Sequence, residues 1–143
     1  MKRKLISVVL LAAFLTSVYL GNISVAAASK VKVDVKLESV ECVENNHVGN
    51  EWEYSCTANK KELKEGDTIQ ITTTSSGKIK IVAEATENDK YPDTGTKTLT
   101  IPVSKLKKDK NSAYTCNVTV IEDRGRYAGN TAVWKFTFNV KRK

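Results

Sequence analysis

The chain has 143 residues, with 23 Lys plus Arg against 16 Asp plus Glu, one histidine and three cysteines. A single histidine leaves no Cys/His set with zinc spacing, and the length leaves no room for a second ordinary domain. The charges are interleaved and only mildly basic, a pattern of a soluble surface that does not call for a nucleic-acid partner.

The first element is a leader. Met1-Lys2-Arg3-Lys4 opens it, an apolar segment runs from Leu5 to Leu20, and Ala26-Ala27-Ala28 closes it with small residues. That order predicts a secretory signal peptide over residues 1–28, of a bacterial kind, and a mature domain over 29–143. The apolar segment is short for a membrane span, so the expected product is secreted and not an integral membrane protein. The leader takes Lys2, Arg3 and Lys4 with it, which leaves 20 basic against 16 acidic residues.

Period-two alternation then dominates. Val31, Val33, Val35 and Leu37 alternate with Lys32, Asp34 and Lys36, and the phase slips near Ser39 and Val40, as at a bulge or a strand break. Further strands are expected near 51–59, 67–73, 78–86, 96–103, 113–122 and 131–141. Turn chemistry separates them, as in Glu65-Gly66-Asp67, Ser75-Ser76-Gly77, Pro92-Asp93-Thr94-Gly95 and Ala128-Gly129-Asn130. The lysine-rich stretch from Ser104 to Asn111 breaks the pattern and reads as a solvated crossover. On the last strand Trp134, Phe136, Phe138 and Val140 share a face that belongs in a core. The expected fold is all-β, an antiparallel β-sandwich of seven or eight strands.

Two cysteine pairings are open. Cys42 and Cys56 are equidistant from Gly49, so a hairpin through 44–51 would set them opposite each other, and that pairing is the one expected. Cys56 also shares an inward face with Trp52 and Tyr54, and Cys116 with Tyr114, Val118 and Val120, which would suit a bridge between two packed sheets.

Candidate chemistry lies in two loops. Residues 85–95 place Glu87, Asp89 and Asp93 between two strands, stiffened by Pro92 and turned by Gly95. Three carboxylates that converge offer oxygen ligands to a hard cation, whereas carboxylates that do not converge simply make a solvated turn. The second loop, from Glu122 to Asn130, carries Arg124, Arg126 and Tyr127, a composition suited to gripping a partner or an anionic group. Its plainer role is a charged hairpin tip whose arginines pair with nearby acids.

An apolar strand, an acid, a spacer, Asp89, a short gap, Asp93 and then Gly95 before another apolar strand resembles the third calcium-binding loop of C2 domains. The resemblance implies an eight-stranded antiparallel sandwich, calcium at Glu87, Asp89 and Asp93, and further ligands from Glu44, Asn45, Asn46 or Glu51. A second resemblance runs through Tyr114-Thr115-Cys116, which is similar to the corner before strand F of an immunoglobulin-like domain and would make Cys56 its strand B partner. With one histidine and no carboxylate pair held across a cleft, the expected protein is not an enzyme. The reading is a secreted bacterial binding or adhesion module using calcium. Its partner would be an extracellular protein, an anionic envelope polymer or a lipid headgroup. The alternative is an extracellular inhibitor or antagonist that uses the Arg124 to Asn130 loop.

Overall fold

The computed structural model describes residues 28–143, so the expected signal peptide, apart from its last residue, lies outside the described residues. Eight strands form, β1 (Lys30–Asn45), β2 (Trp52–Ala58), β3 (Lys61–Glu62), β4 (Thr68–Thr74), β5 (Lys78–Glu87), β6 (Asp93–Pro102), β7 (Asn111–Ile121) and β8 (Thr131–Arg142). They make two antiparallel four-stranded sheets, in the orders β4-β1-β8-β7 and β3-β2-β5-β6. This is the eight-stranded antiparallel sandwich that the C2 resemblance implied.

The alternating residues meet between the sheets. Val33, Val35 and Leu37 from β1, Ile79 and Ile81 from β5, and Phe136, Phe138 and Val140 from β8 are all buried. Each such side chain is worth about 1.5–3 kcal/mol when withdrawn from water. Trp134 is only half-buried, packed at the margin against Trp52 at 5.2 Å and Tyr54 at 6.0 Å between ring centroids. The phase slip in β1 does not divide it. Its ladder with β8 shifts between Leu37 and Ser39, and again between Cys42 and Glu44, so a bulged strand continues to Asn45. In the 104–111 crossover one 3-10 turn, Val103–Lys105, starts the passage to β7.

The hairpin expected around Gly49 does not form. β1 pairs with β4 and β8, whereas β2 pairs with β3 and β5, so the segment after Asn45 carries the chain from one sheet to the other. Cys42 is exposed on β1 opposite Trp134, and Cys56 is buried on β2 opposite Ala83. The two therefore do not face each other across a ladder, and the geometric reason for bridging Cys42 to Cys56 is gone. Cys56 and Cys116 are instead both buried, on strands of opposite sheets, and all three thiols are free. The same crossover rules out immunoglobulin-like topology, in which the first two strands lie in one sheet.

Strand direction defines two poles. The β1–β2, β5–β6 and β7–β8 connections meet at one, here called the loop pole. The start of β1, the β4–β5 turn, the β6–β7 crossover and the end of β8 meet at the other.

Candidate functional site

The loop pole brings together the two candidate loops and the 44–51 stretch, from which the C2 resemblance expected further ligands. In the β1–β2 connection the Asn45 side chain donates to the Gly49 carbonyl and accepts from the Val48 N–H, each at 2.9 Å. Val48 is thereby driven into the core as a fully buried plug. His47, at a left-handed φ of 60°, is turned outward and stacks on Tyr127 of the β7–β8 connection, with centroids 5.0 Å apart and an 18° interplanar angle. That connection is closed by Glu122 N–H to Asn130 and Gly129 N–H to Glu122, at 2.9 and 2.7 Å.

The carboxylates of the β5–β6 connection are occupied with backbone. Glu87 is only 2% exposed and accepts from the N–H groups of Asp89 at 3.1 Å and Glu51 at 3.5 Å. Asp89 accepts from Tyr91 N–H at 2.6 Å, and Asp93, also buried, accepts from Asp123 N–H at 3.4 Å. Glu87 thus ties the β5–β6 connection to the β1–β2 connection, and Asp93 ties it to the β7–β8 connection. Unmade bonds to buried carboxylates cost kilocalories, so these are staples.

Their donor chemistry, all hard oxygen, suits calcium. Their arrangement does not make a ready cage. Among the described residues no three His, Cys, Asp or Glu side chains are gathered to hold a metal ion. Glu44 is exposed on β1, and Asn45 is spent on its own loop.

The arginines do not pair with these acids. Four ion pairs occur among the described residues, and none involves the three loops. Arg124 instead lies over the Tyr91 ring at 4.9 Å, and Arg126 over Tyr127 at 5.7 Å. Negative charge is left uncompensated, and it shows at Glu122. Its pKa is raised above the ordinary value by desolvation first, and then by Asp93, Asp89, Glu87 and Asp123.

Between the three connections lies an open groove of about 710 Å³, lined by the acids Glu51, Glu87, Asp89 and Glu122 and by Lys90, Arg124, Arg126, Tyr127 and His47. All six predicted site residues except Asp93 line it. His47 and Tyr91 were not singled out as site residues. Tyr91 carried a signal, an aromatic between Lys90 and Pro92 in a turn, where nothing local would bury it. His47 reaches the site only through the crossover between sheets. The ring of His47 has Asn46 as a hydrogen-bond neighbour at 3.2 Å, an amide that cannot relay a proton.

No known family profile matches the chain, and no curated protein matches it significantly. Among solved structures it is similar to a C2 domain of a plant extended synaptotagmin 1, at 12% identity and a TM-score of 0.45, over 79% of this chain and 94% of that one. No residue role is carried over from that likeness; the sandwich rests on its own strand pairing.

Proposed function

We propose that this protein is an exported, non-catalytic binding module that takes an extracellular protein partner at the loop pole. The observation that carries this reading is the gathering of apolar and cationic side chains there. Of the five large hydrophobic side chains left exposed, Val43, Tyr91, Ile121 and Tyr127 lie at that pole, alongside Arg124 and Arg126. Tyrosine and arginine are enriched where protein surfaces meet, because they offer large contact area and strong hydrogen bonds together. Stacking on Tyr91 and Tyr127 pre-positions both guanidinium groups, which lowers the ordering cost on binding. The groove is shallow and open, as a recognition surface is, and has no base-and-nucleophile pair.

The test is capture from the extracellular fraction by native protein, Arg126→Glu and Tyr127→Ala. Capture should be lost in both variants with the unfolding midpoint unchanged. Equal capture by all three rejects this loop as the contact.

A calcium-dependent form of the same function is favoured by the surplus of carboxylates at this pole, where Asp93, Asp89, Glu87 and Asp123 add to desolvation in raising the pKa of Glu122. A cation held by free oxygens of Asp89 and Glu122 would offset that charge. A ligand that binds only the folded state raises the unfolding midpoint. Calcium should therefore raise it in the native protein and not in Asp89→Asn/Asp93→Asn. No response to calcium at about millimolar concentration, where weak extracellular sites fill, leaves the acids as loop staples alone.

A further inference from the structure

The opposite pole carries a charge separation that linear order conceals. Segments 28–34, 58–61, 74–80, 103–111 and 140–143 meet there, with thirteen Lys or Arg against two acidic side chains, Asp34 and Asp109. The loop-pole segments 41–53, 84–95 and 121–131 carry ten carboxylates against three basic residues. A chain that is only mildly basic overall is therefore strongly polar along its long axis.

Backbone hydrogen bonds hold the basic segments in one surface. Val103 N–H donates to Gly77 at 2.9 Å, Asp109 N–H to Arg142 at 2.7 Å, and Lys143 N–H to Lys32 at 2.9 Å. A parallel bridge sets Lys108 beside Arg142. Of the two acidic side chains, Asp34 is already taken by Lys143 Nζ at 2.8 Å. Lys78, Lys105, Lys107, Lys108 and Lys110 are exposed, and none is in an ion pair among the described residues. Holding like charges within about 10 Å, a Debye length at 0.1 M salt, costs free energy that a bound polyanion returns.

We infer that this basic pole is a docking surface for a linear polymer of repeating phosphates, separate from the loop pole and independent of its reading. The chemistry selects that occupant. All but one of the thirteen cations are lysines, point charges on flexible stems that follow a mobile phosphate chain without demanding fixed bidentate geometry. None of the exposed large hydrophobic side chains lies in these segments, so nothing is offered for insertion among acyl chains. A second copy docking by its loop pole would set Arg124 and Arg126 against these lysines, while Glu87 and Asp93, being buried, could not meet them. The geometry puts the polymer at one end of the sandwich and leaves the loop pole facing away from it.

The experiment measures binding of the full chain to long-chain inorganic polyphosphate and, separately, to phosphatidylglycerol vesicles, across a salt series. Native protein should bind polyphosphate at about 0.1 M salt and weaken steeply as salt rises, because phosphate neutralisation releases counterions. The variant K105Q/K107Q/K108Q/K110Q should lose about tenfold or more in affinity on the same ground, with its unfolding midpoint preserved. Arg126→Glu, at the far pole, should bind the polymer as the native protein does. Unchanged binding by the lysine variant, loss of binding in Arg126→Glu, or absence of native binding at that salt each overturns the assignment. Tighter binding to the vesicles than to the polymer, per accessible phosphate, overturns the choice of occupant.

Discussion

The carboxylate of Glu87 lies against the backbone of Gly49, in the space that any side chain at position 49 would fill. Gly49 also has a φ of +46°, where a Cβ is disfavoured in its own right. One glycine therefore permits a buried acid to reach across from β5 and hold the β1–β2 connection.

Glu87→Ala should destabilise the fold by about 1–3 kcal/mol, the cost of leaving the Asp89 and Glu51 N–H groups unpaired. Gly49→Ala should act through the same contact, by displacing Glu87. Their combination should therefore cost less than the sum of the single effects. Denaturant unfolding of the two single variants and the double variant checks this, and full additivity would show that the staple is not what Gly49 preserves.

Glu122 sets a pH dependence. Its folded-state pKa is raised, so the folded protein holds this proton more tightly than the unfolded chain does. Its ionisation then costs stability at neutral pH, and that cost disappears as pH falls below the unfolded value of 4.5. Glu122→Gln should raise the unfolding midpoint at pH 7 and bring no gain at about pH 4, where the native carboxyl is already protonated. A midpoint lowered at pH 7 would mean that the carboxylate is held by a favourable partner.

The three thiols should differ in reactivity. Cys42 is exposed, with its Sγ donating to the Glu44 carbonyl at 3.3 Å. Burial, with Cys116 adding to it, pushes the Cys56 thiol up to about 12, and burial also raises Cys116. Since the thiolate is the nucleophile, the reduced protein should yield one fast-reacting thiol at about pH 8, removed by Cys42→Ser. The other two should react only on unfolding. Three equally fast thiols would contradict the burial of Cys56 and Cys116.

Gly95 marks a close approach between sheets. A Cβ there would collide with the backbone of Thr119 on β7. Gly95→Ala should cost about 1–3 kcal/mol, the usual penalty of overpacking, because backbone yields less readily than a side chain. Thermal unfolding beside Gly125→Ala provides the contrast. Gly125 has open space around it, so any loss there comes from its φ of +79° alone.

Alternation alone determined much of this protein. The inward sides of β1, β5 and β8, the bulge near Ser39 and the polar crossover after Val103 follow from a period of two and its interruptions, because each strand buries one face whatever its neighbour is. The two loops that supply the loop pole were legible for the same reason, as runs of turn residues and charges. Which strand lies beside which was decided only in three dimensions. The symmetry about Gly49 looked like a hairpin, yet the burial of Val48 and the Glu87 staple go with a crossover that separates Cys42 from Cys56. Tertiary structure also made Glu87 and Asp93 ties between loops, since the backbone N–H groups of Glu51 and Asp123 reach them, while Asp89 accepts from Tyr91 within its own loop. The sorting of charge into two poles arises in the same way. Side-chain facing is a local property of the strand, whereas polarity along the sandwich depends on the direction in which each strand runs.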